Sequence, residues 1–203
     1  MMKSILELAD RAKTNIAGML TWAFEFEDQP YFDGFRTLAT NGIDKPVLNL
    51  FRMAGMMHGD RVKVESTGGV AVQKMLVEGV RANANVDALA VRSDREMSVL
   101  AWNYHDDDVA GADANVRIEV TGIPNGRVLL REYRIDQTHS NGWTTWKKMG
   151  SPQNPSAEQY AVLESAGQLE QLSSPRWIVV KNGETTIGIT LPRQAVSLLN
   201  LLF

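Results

Sequence analysis

Glu25 and Glu27 stand two residues apart in a segment framed by Trp22, Phe24, Phe26, Tyr31 and Phe32. Ionised carboxylates accept charge-assisted hydrogen bonds from hydroxyl groups, and these are stronger than neutral ones. Aromatic rings beside them offer faces on which a pyranose can stack. If the segment is a strand, residues i and i+2 share a face about 7 Å apart, so both acids point the same way. The combination suits a sugar site with Trp22 and Phe32 among its rings. The competing explanation is a salt bridge to Arg36. The sugar reading is preferred because acids are rarely buried without a partner or a task.

Other chemistry-bearing residues are weaker candidates. His105-Asp106-Asp107-Asp108 offers oxygen ligands for a hard cation, but the spacing matches no calcium loop, and a solvated acidic hairpin is the better expectation. Trp143 and Trp146 form either a stacking platform or packing against a sheet edge, and packing is favoured at this spacing. His139 beside Ser140 has no acid at a diagnostic distance in the chain, so a nucleophilic triad is not expected. Met53, Met56 and Met57 read as core packing. Gly68-Gly69 and Gly55 lack the surroundings of a phosphate loop. The chain has no cysteine, which removes disulfides and thiolate metal sites together. No metal and no cofactor are expected.

The elements that must position these residues fall into two textures. Ile5, Leu6, Leu8, Ala9 and Ala12 recur at spacings of three and four, which predicts an amphipathic helix ending near Asn15. The apolar, aromatic run from Ile16 to Phe26 predicts a strand buried on both faces. A second helix follows, with Asp44 as its expected cap and Pro46 in its first turn. Helix, buried strand, helix is one turn of an α/β fold and cannot cover its own strand. Residues 1–58 are therefore read as a fragment of something larger, with apolar surface available for self-association.

From residue 59 the texture changes to short alternating segments. Arg61 to Ser66, Asp87 to Val91, Met97 to Tyr104, Val116 to Val120, Val128 to Ile135, Trp177 to Val180 and Thr185 to Leu191 read as strands. Turns are expected at Gly68-Gly69, Pro124-Asn125-Gly126 and Asn182-Gly183. About seven such strands predict a β-sandwich over residues 59–203. Ser156 with Gln159 is a capping-box pattern, predicting one helix over Tyr160 to Leu169. The fold class is mainly β: a C-terminal β-sandwich preceded by the last helix-strand-helix fragment of a (β/α)8 barrel.

Charge and composition narrow the partners. The 203 residues are 44% hydrophobic and 22% charged, with a formal net charge of −3. No block of like charges suggests nucleic acid or an anionic membrane surface as a partner. No apolar run approaches the roughly 20 residues that span a bilayer. Charges interrupt the first 13 residues too often for a signal peptide, and the compartment is left open.

Two stretches resemble a known family. Leu20 to Arg36, centred on Trp22-Ala23-Phe24-Glu25-Phe26-Glu27-Asp28-Gln29-Pro30-Tyr31-Phe32, followed by Ala39 to Leu48, resembles the eighth barrel strand and following helix of family 39 glycoside hydrolases. Arg134-Ile135-Asp136-Gln137-Thr138-His139-Ser140-Asn141, running on through Trp146 to Gln153, is similar to that family's C-terminal sandwich. The two lie in the family's order and separation, so the resemblance covers essentially the whole chain. It implies a retaining glycosidase with β-xylosidase activity, an acid/base glutamate after the fourth barrel strand and a nucleophilic glutamate on the seventh. The family's acid/base lies in an Asn-Glu-Pro motif, and this sequence contains no such tripeptide. The strand that carries the nucleophile would precede Met1. No catalytic residue is therefore assigned. What carries over is the acidic pair at the eighth strand, Glu27-Asp28, with Asp where relatives often have a second Glu. The implied partners are xylosides or xylo-oligosaccharides, bound by the full-length parent. The alternative is an independent carbohydrate-binding or oligomerisation sandwich, with Trp102, Trp143 or Trp146 exposed for stacking.

Overall fold

The computed structural model describes residues 2–18, 23–34 and 37–203. Helix α1 (Met2–Ala12) opens the chain. A two-residue hairpin, β1 (Ala39–Thr40) and β2 (Ile43–Asp44), leads into helix α2 (Pro46–Gly55). Then follow β3 (Asp60–Val62), α3 (Val72–Glu78), β4 (Asn85–Arg92), β5 (Glu96–Tyr104), β6 (Ala114–Thr121) and β7 (Gly126–Ile135). Helices α4 (Gly142–Lys148) and α5 (Ala157–Gly167) precede the last strands, β8 (Arg176–Val180), β9 (Glu184–Leu191) and β10 (Val196–Leu202). The fold is mainly β, as the short alternating segments imply.

Six strands form one antiparallel sheet in the order β3-β4-β5-β10-β7-β8, and β6 pairs with β9 across from it. Strands β6 and β9 show why alternation is a dependable signal. Their inward residues, such as Val120, Ile187, Ile189 and Leu191, are buried, while Arg117, Glu119 and Thr190 face out. One face is dry and one wet, so the pattern has a period of two. Strand β10 breaks that pattern and has no counterpart among the expected strands. Leu199 and Leu201 point into the core between the sheets, whereas Leu198 faces Met53 of α2 on the other side. A strand covered on both faces reads as a continuous apolar run, which periodicity does not separate from a buried helix.

Residues 43–53 are fastened to this sheet and to the helices beside it. Met53 packs with Leu100, Ile135 and Leu198, and Ile43 packs with Trp146 of α4 and Leu163 of α5. Asn49 adds two long-range hydrogen bonds, described below. Asp44 is not the cap of α2: the N-cap is Lys45, without a side-chain cap bond. The Asp44 carboxylate instead pairs with Arg52 and accepts from the Gln168 carboxamide at 3.2 Å. Ser156 and Gln159 do form the capping box expected of them, at the start of α5.

The expected strand over Ile16 to Phe26 is not formed by its described residues, 16–18 and 23–26. A buried parallel strand needs ladder partners on its edges. Here the Phe24 carbonyl instead takes the amides of Leu38 and Ala39, at 2.8 and 2.9 Å. Trp22 lies outside the described residues.

Candidate functional site

The acids and aromatics near residue 25 sit on a loop that the β1–β2 hairpin frames. The Glu25 carboxylate accepts from the Gly42 amide at 3.2 and 3.3 Å. The Asn41 side chain donates to the Gln29 carbonyl at 3.2 Å, and the Phe32 amide donates to the Thr40 hydroxyl at 2.7 Å. Gly42 makes the tight turn possible, with φ of +78° and a position where a Cβ would lie 2.8 Å from the Tyr160 hydroxyl. That region favours glycine because other residues meet steric cost there.

Glu27 and Asp28 occupy the exposed tip of this loop. Arg36, the competing salt-bridge partner, lies outside the described residues, and among the described residues neither carboxylate has a hydrogen-bond or salt-bridge partner. Asp28 has φ of +56° and Phe32 has φ of +58°. Left-handed backbone at a bulky side chain is uncommon and is stored where surrounding contacts impose it. Glu25 and Glu27 do not share a strand face. Glu25 turns inward to brace the hairpin, and only Glu27 stays available at the tip.

Phe32 is half-buried and stacks obliquely on Trp146, with ring centroids 5.0 Å apart. Tyr31 sits beside Tyr160 and Glu25, and burial, then those neighbours, push its phenol above the usual range. Below the loop, the Lys45 ammonium donates to the Asp33 carbonyl at 2.9 Å and to the Thr37 hydroxyl. Burial lowers the Lys45 pKa, while Asp33 and Glu25 act in the opposite sense. The loop thus has a cation beneath its acids and carboxylates at its open end, where they can accept hydrogen bonds from hydroxyl groups.

The other candidates resolve into structural parts. Trp146 is buried and its indole N–H donates to the Pro152 carbonyl at 2.8 Å, so it does not pair with exposed Trp143 in a platform. Trp102 is half-buried in β5. His105 is buried, with Nε2 at 2.9 Å from the Arg81 carbonyl, and the Asp106 carboxylate takes the Val80 amide at 2.8 Å. Among the described residues no group of three His, Asp or Glu is placed to hold a metal. His139 does have an acid: its Nδ1 lies 2.9 Å from Asp136. That carboxylate also accepts the Thr138 and His139 amides and faces buried Arg134, which makes it a loop brace. Gln153, Tyr160 and Lys45 serve the loop without any local signal in the sequence, since Gln153 and Tyr160 arrive from more than a hundred residues away.

Fold and loop together define a class: an antiparallel β-sandwich that carries, on its helical flank, a braced loop of acids and aromatics. The family model for glycosyl hydrolases family 39 matches residues 1–177, most of the chain, and the chain belongs to that family. It is 28% identical over 170 residues to a β-xylosidase of Caldicellulosiruptor saccharolyticus, covering 83% of this chain and 32% of the relative. A β-xylosidase of Geobacillus stearothermophilus is 23% identical over 181 residues, covering 88% of this chain and 31% of the relative. The chain thus spans about a third of the length of the curated relatives it matches. The fold is shared with the crystal structure of the family 39 enzyme from Xanthomonas axonopodis pv. citri, with a TM-score of 0.75 at 20% identity. That match covers 98% of this chain and 39% of the other, and it falls on the C-terminal portion of the enzyme.

Proposed function

We propose that this chain is the C-terminal part of a retaining β-xylosidase-like glycoside hydrolase that acts on xylosides or xylo-oligosaccharides. In this reading residues 1–58 complete a catalytic barrel and residues 59–203 form its sandwich. The acid/base and the nucleophile come from chain outside these residues. Glu27 and Asp28 contact the sugar, with Trp22 and Phe32 contributing apolar surface. The supporting observation is the loop tip, where two carboxylates stand exposed on a tightly braced backbone with the described side chains leaving them unpaired.

A carboxylate in that place accepts hydrogen bonds from sugar hydroxyls, each worth about 1.5–3 kcal/mol when charge-assisted. The deciding experiment places Glu27→Gln at the equivalent position of a full-length relative and compares kcat/KM with Tm. The expected result is a loss of kcat/KM of at least about tenfold, the equivalent of one such bond, with Tm unchanged. A Tm lowered by several degrees with kcat/KM within about twofold of wild type makes Glu27 a structural acid instead.

A further inference from the structure

Besides Tyr160, a short segment on the sandwich side reaches the acid-bearing loop. After α4 the backbone turns at Gly150 and Ser151, both in the left-handed region, with φ of +85° and +59°. The Ser151 amide returns to the Trp146 carbonyl at 3.0 Å. The Trp146 indole N–H holds the Pro152 carbonyl at 2.8 Å. This fixes the next residue, Gln153, whose side-chain oxygen accepts the Tyr31 amide at 2.7 Å. The same Trp146 ring packs on Phe32. One residue of α4 therefore controls two neighbouring points of the loop, by its ring directly and by its N–H through Gln153.

What is held there is unfavourable backbone. Asp28 and Phe32 bracket the contact with positive φ, a conformation that persists only where surrounding contacts over-determine it. The Thr40 hydroxyl on the Phe32 amide comes from the hairpin. The Gln153 oxygen on the Tyr31 amide comes from the other side. Remove either, and an amide at the base of the tip loses its partner.

We infer that Gln153 and Trp146 are positioning residues that hold the 27–33 loop so that the Glu27 and Asp28 carboxylates face a sugar. The inference rests on the sugar-contact reading of those two acids. It makes the sandwich a working part of the binding site. Gln153 is exposed and has room for substitution without loss of the fold, because surface changes move stability little. Its Oε1 acts as an acceptor, so Gln153→Glu keeps the contact and Gln153→Leu removes it.

The experiment follows backbone amides of the 203-residue chain by NMR, measuring hydrogen exchange at Tyr31 and titrating with xylobiose. The variants are Gln153→Leu, Gln153→Glu, Trp146→Phe and Glu27→Gln. One neutral hydrogen bond corresponds to about three- to tenfold in an equilibrium. Exchange at Tyr31 should rise by about that factor in Gln153→Leu, xylobiose affinity should fall in parallel, and Gln153→Glu should restore both. Trp146→Phe keeps a ring against Phe32 but frees Pro152, and should shift Tyr31 exchange in the same direction. Unchanged exchange in Gln153→Leu overturns the clamp whatever the sugar does. Faster exchange with intact xylobiose affinity, while Glu27→Gln abolishes binding, overturns the positioning role alone. Wild-type affinity in Glu27→Gln overturns the sugar-contact reading and the role built on it.

Discussion

The Asn49 carboxamide, on helix α2, donates to the carbonyl of Gly167 at the end of α5, 2.7 Å away and 118 residues later. Its second proton goes to the Ser140 carbonyl at 3.0 Å, and its oxygen accepts from Arg52 at 2.9 Å. The side chain is fully buried. Asn49→Leu keeps the branched shape of the side chain and removes every partner, leaving two buried carbonyls unpaired at about 1–3 kcal/mol each. Thermal unfolding should show a Tm lower by several degrees, with the far-UV spectrum of the folded state retained. A Tm within a degree of wild type would mean that α2 is not fastened to the α4–α5 segment through this residue.

Legibility in the sequence followed the physics of each segment. The strands with one wet face, β6 and β9 among them, announced themselves by alternation, and the Ser156–Gln159 box fixed a helix start because its chemistry is local. Strand β10 stayed hidden because cover on both faces erases its period. At the described ends of the run from Ile16 to Phe26 the composition of a buried strand is not matched by a ladder, because Phe24 takes the Leu38 and Ala39 amides. At the site, Glu27 and Phe32 were visible as residue types in an aromatic frame. The inward turn of Glu25 was not, since it depends on Gly42 arriving 17 residues later. Gln153 could not be found from sequence at all, because an exposed glutamine in a Pro-flanked turn carries no signal until Tyr31 is beside it.

Asp136 links the stability of its loop to pH. Burial pushes its carboxyl up, but the Thr138 amide and the His139 and Thr138 side chains outweigh that, and its pKa lies below the ordinary value of 3.8. A depressed carboxyl contributes stability that is present above the unfolded-state value and is lost as pH falls through the folded one. Urea unfolding of wild type and Asp136→Asn should therefore differ most above about pH 4, with the gap closing as pH drops below it. A gap that widens towards acid would reverse the sign and sink the assignment.

Exposed apolar side chains give a second solution-state expectation. Phe24 is 56% exposed, and Leu76 and Val77 of α3 are 60% and 75% exposed. Helix α1 buries none of its described residues. The 203-residue chain should bind a hydrophobic dye and self-associate as concentration rises in light scattering, and Phe24→Ser should reduce both. A monodisperse monomer without dye binding counts against exposed apolar surface as a driver of association.

The 203-residue chain should hydrolyse no aryl-xyloside. Retention needs two carboxyl groups about 5–5.5 Å apart on opposite sides of the scissile bond, one forming the glycosyl-enzyme and the other alternating as acid and base. Glu25 and Glu27 are the two glutamates of the aromatic frame. Glu25 is occupied, its carboxylate taking the Gly42 amide at 3.2 and 3.3 Å from inside the loop. Glu27 sits two residues on, at the exposed tip, so of the two carboxylates one is occupied within the loop and the other is open to a ligand. Losing Glu25 should then register as structure, not chemistry. Glu25→Gln keeps an acceptor but gives up the charge on a hydrogen bond worth about 1.5–3 kcal/mol when charge-assisted, so its Tm should fall modestly. Glu27→Gln should leave Tm unchanged, because no described group pairs with that carboxylate. The assay is release of nitrophenol from an aryl-xyloside by chain purified free of host glycosidases, run beside both variants. Turnover above background that vanishes in either variant would show that these two acids form a working pair.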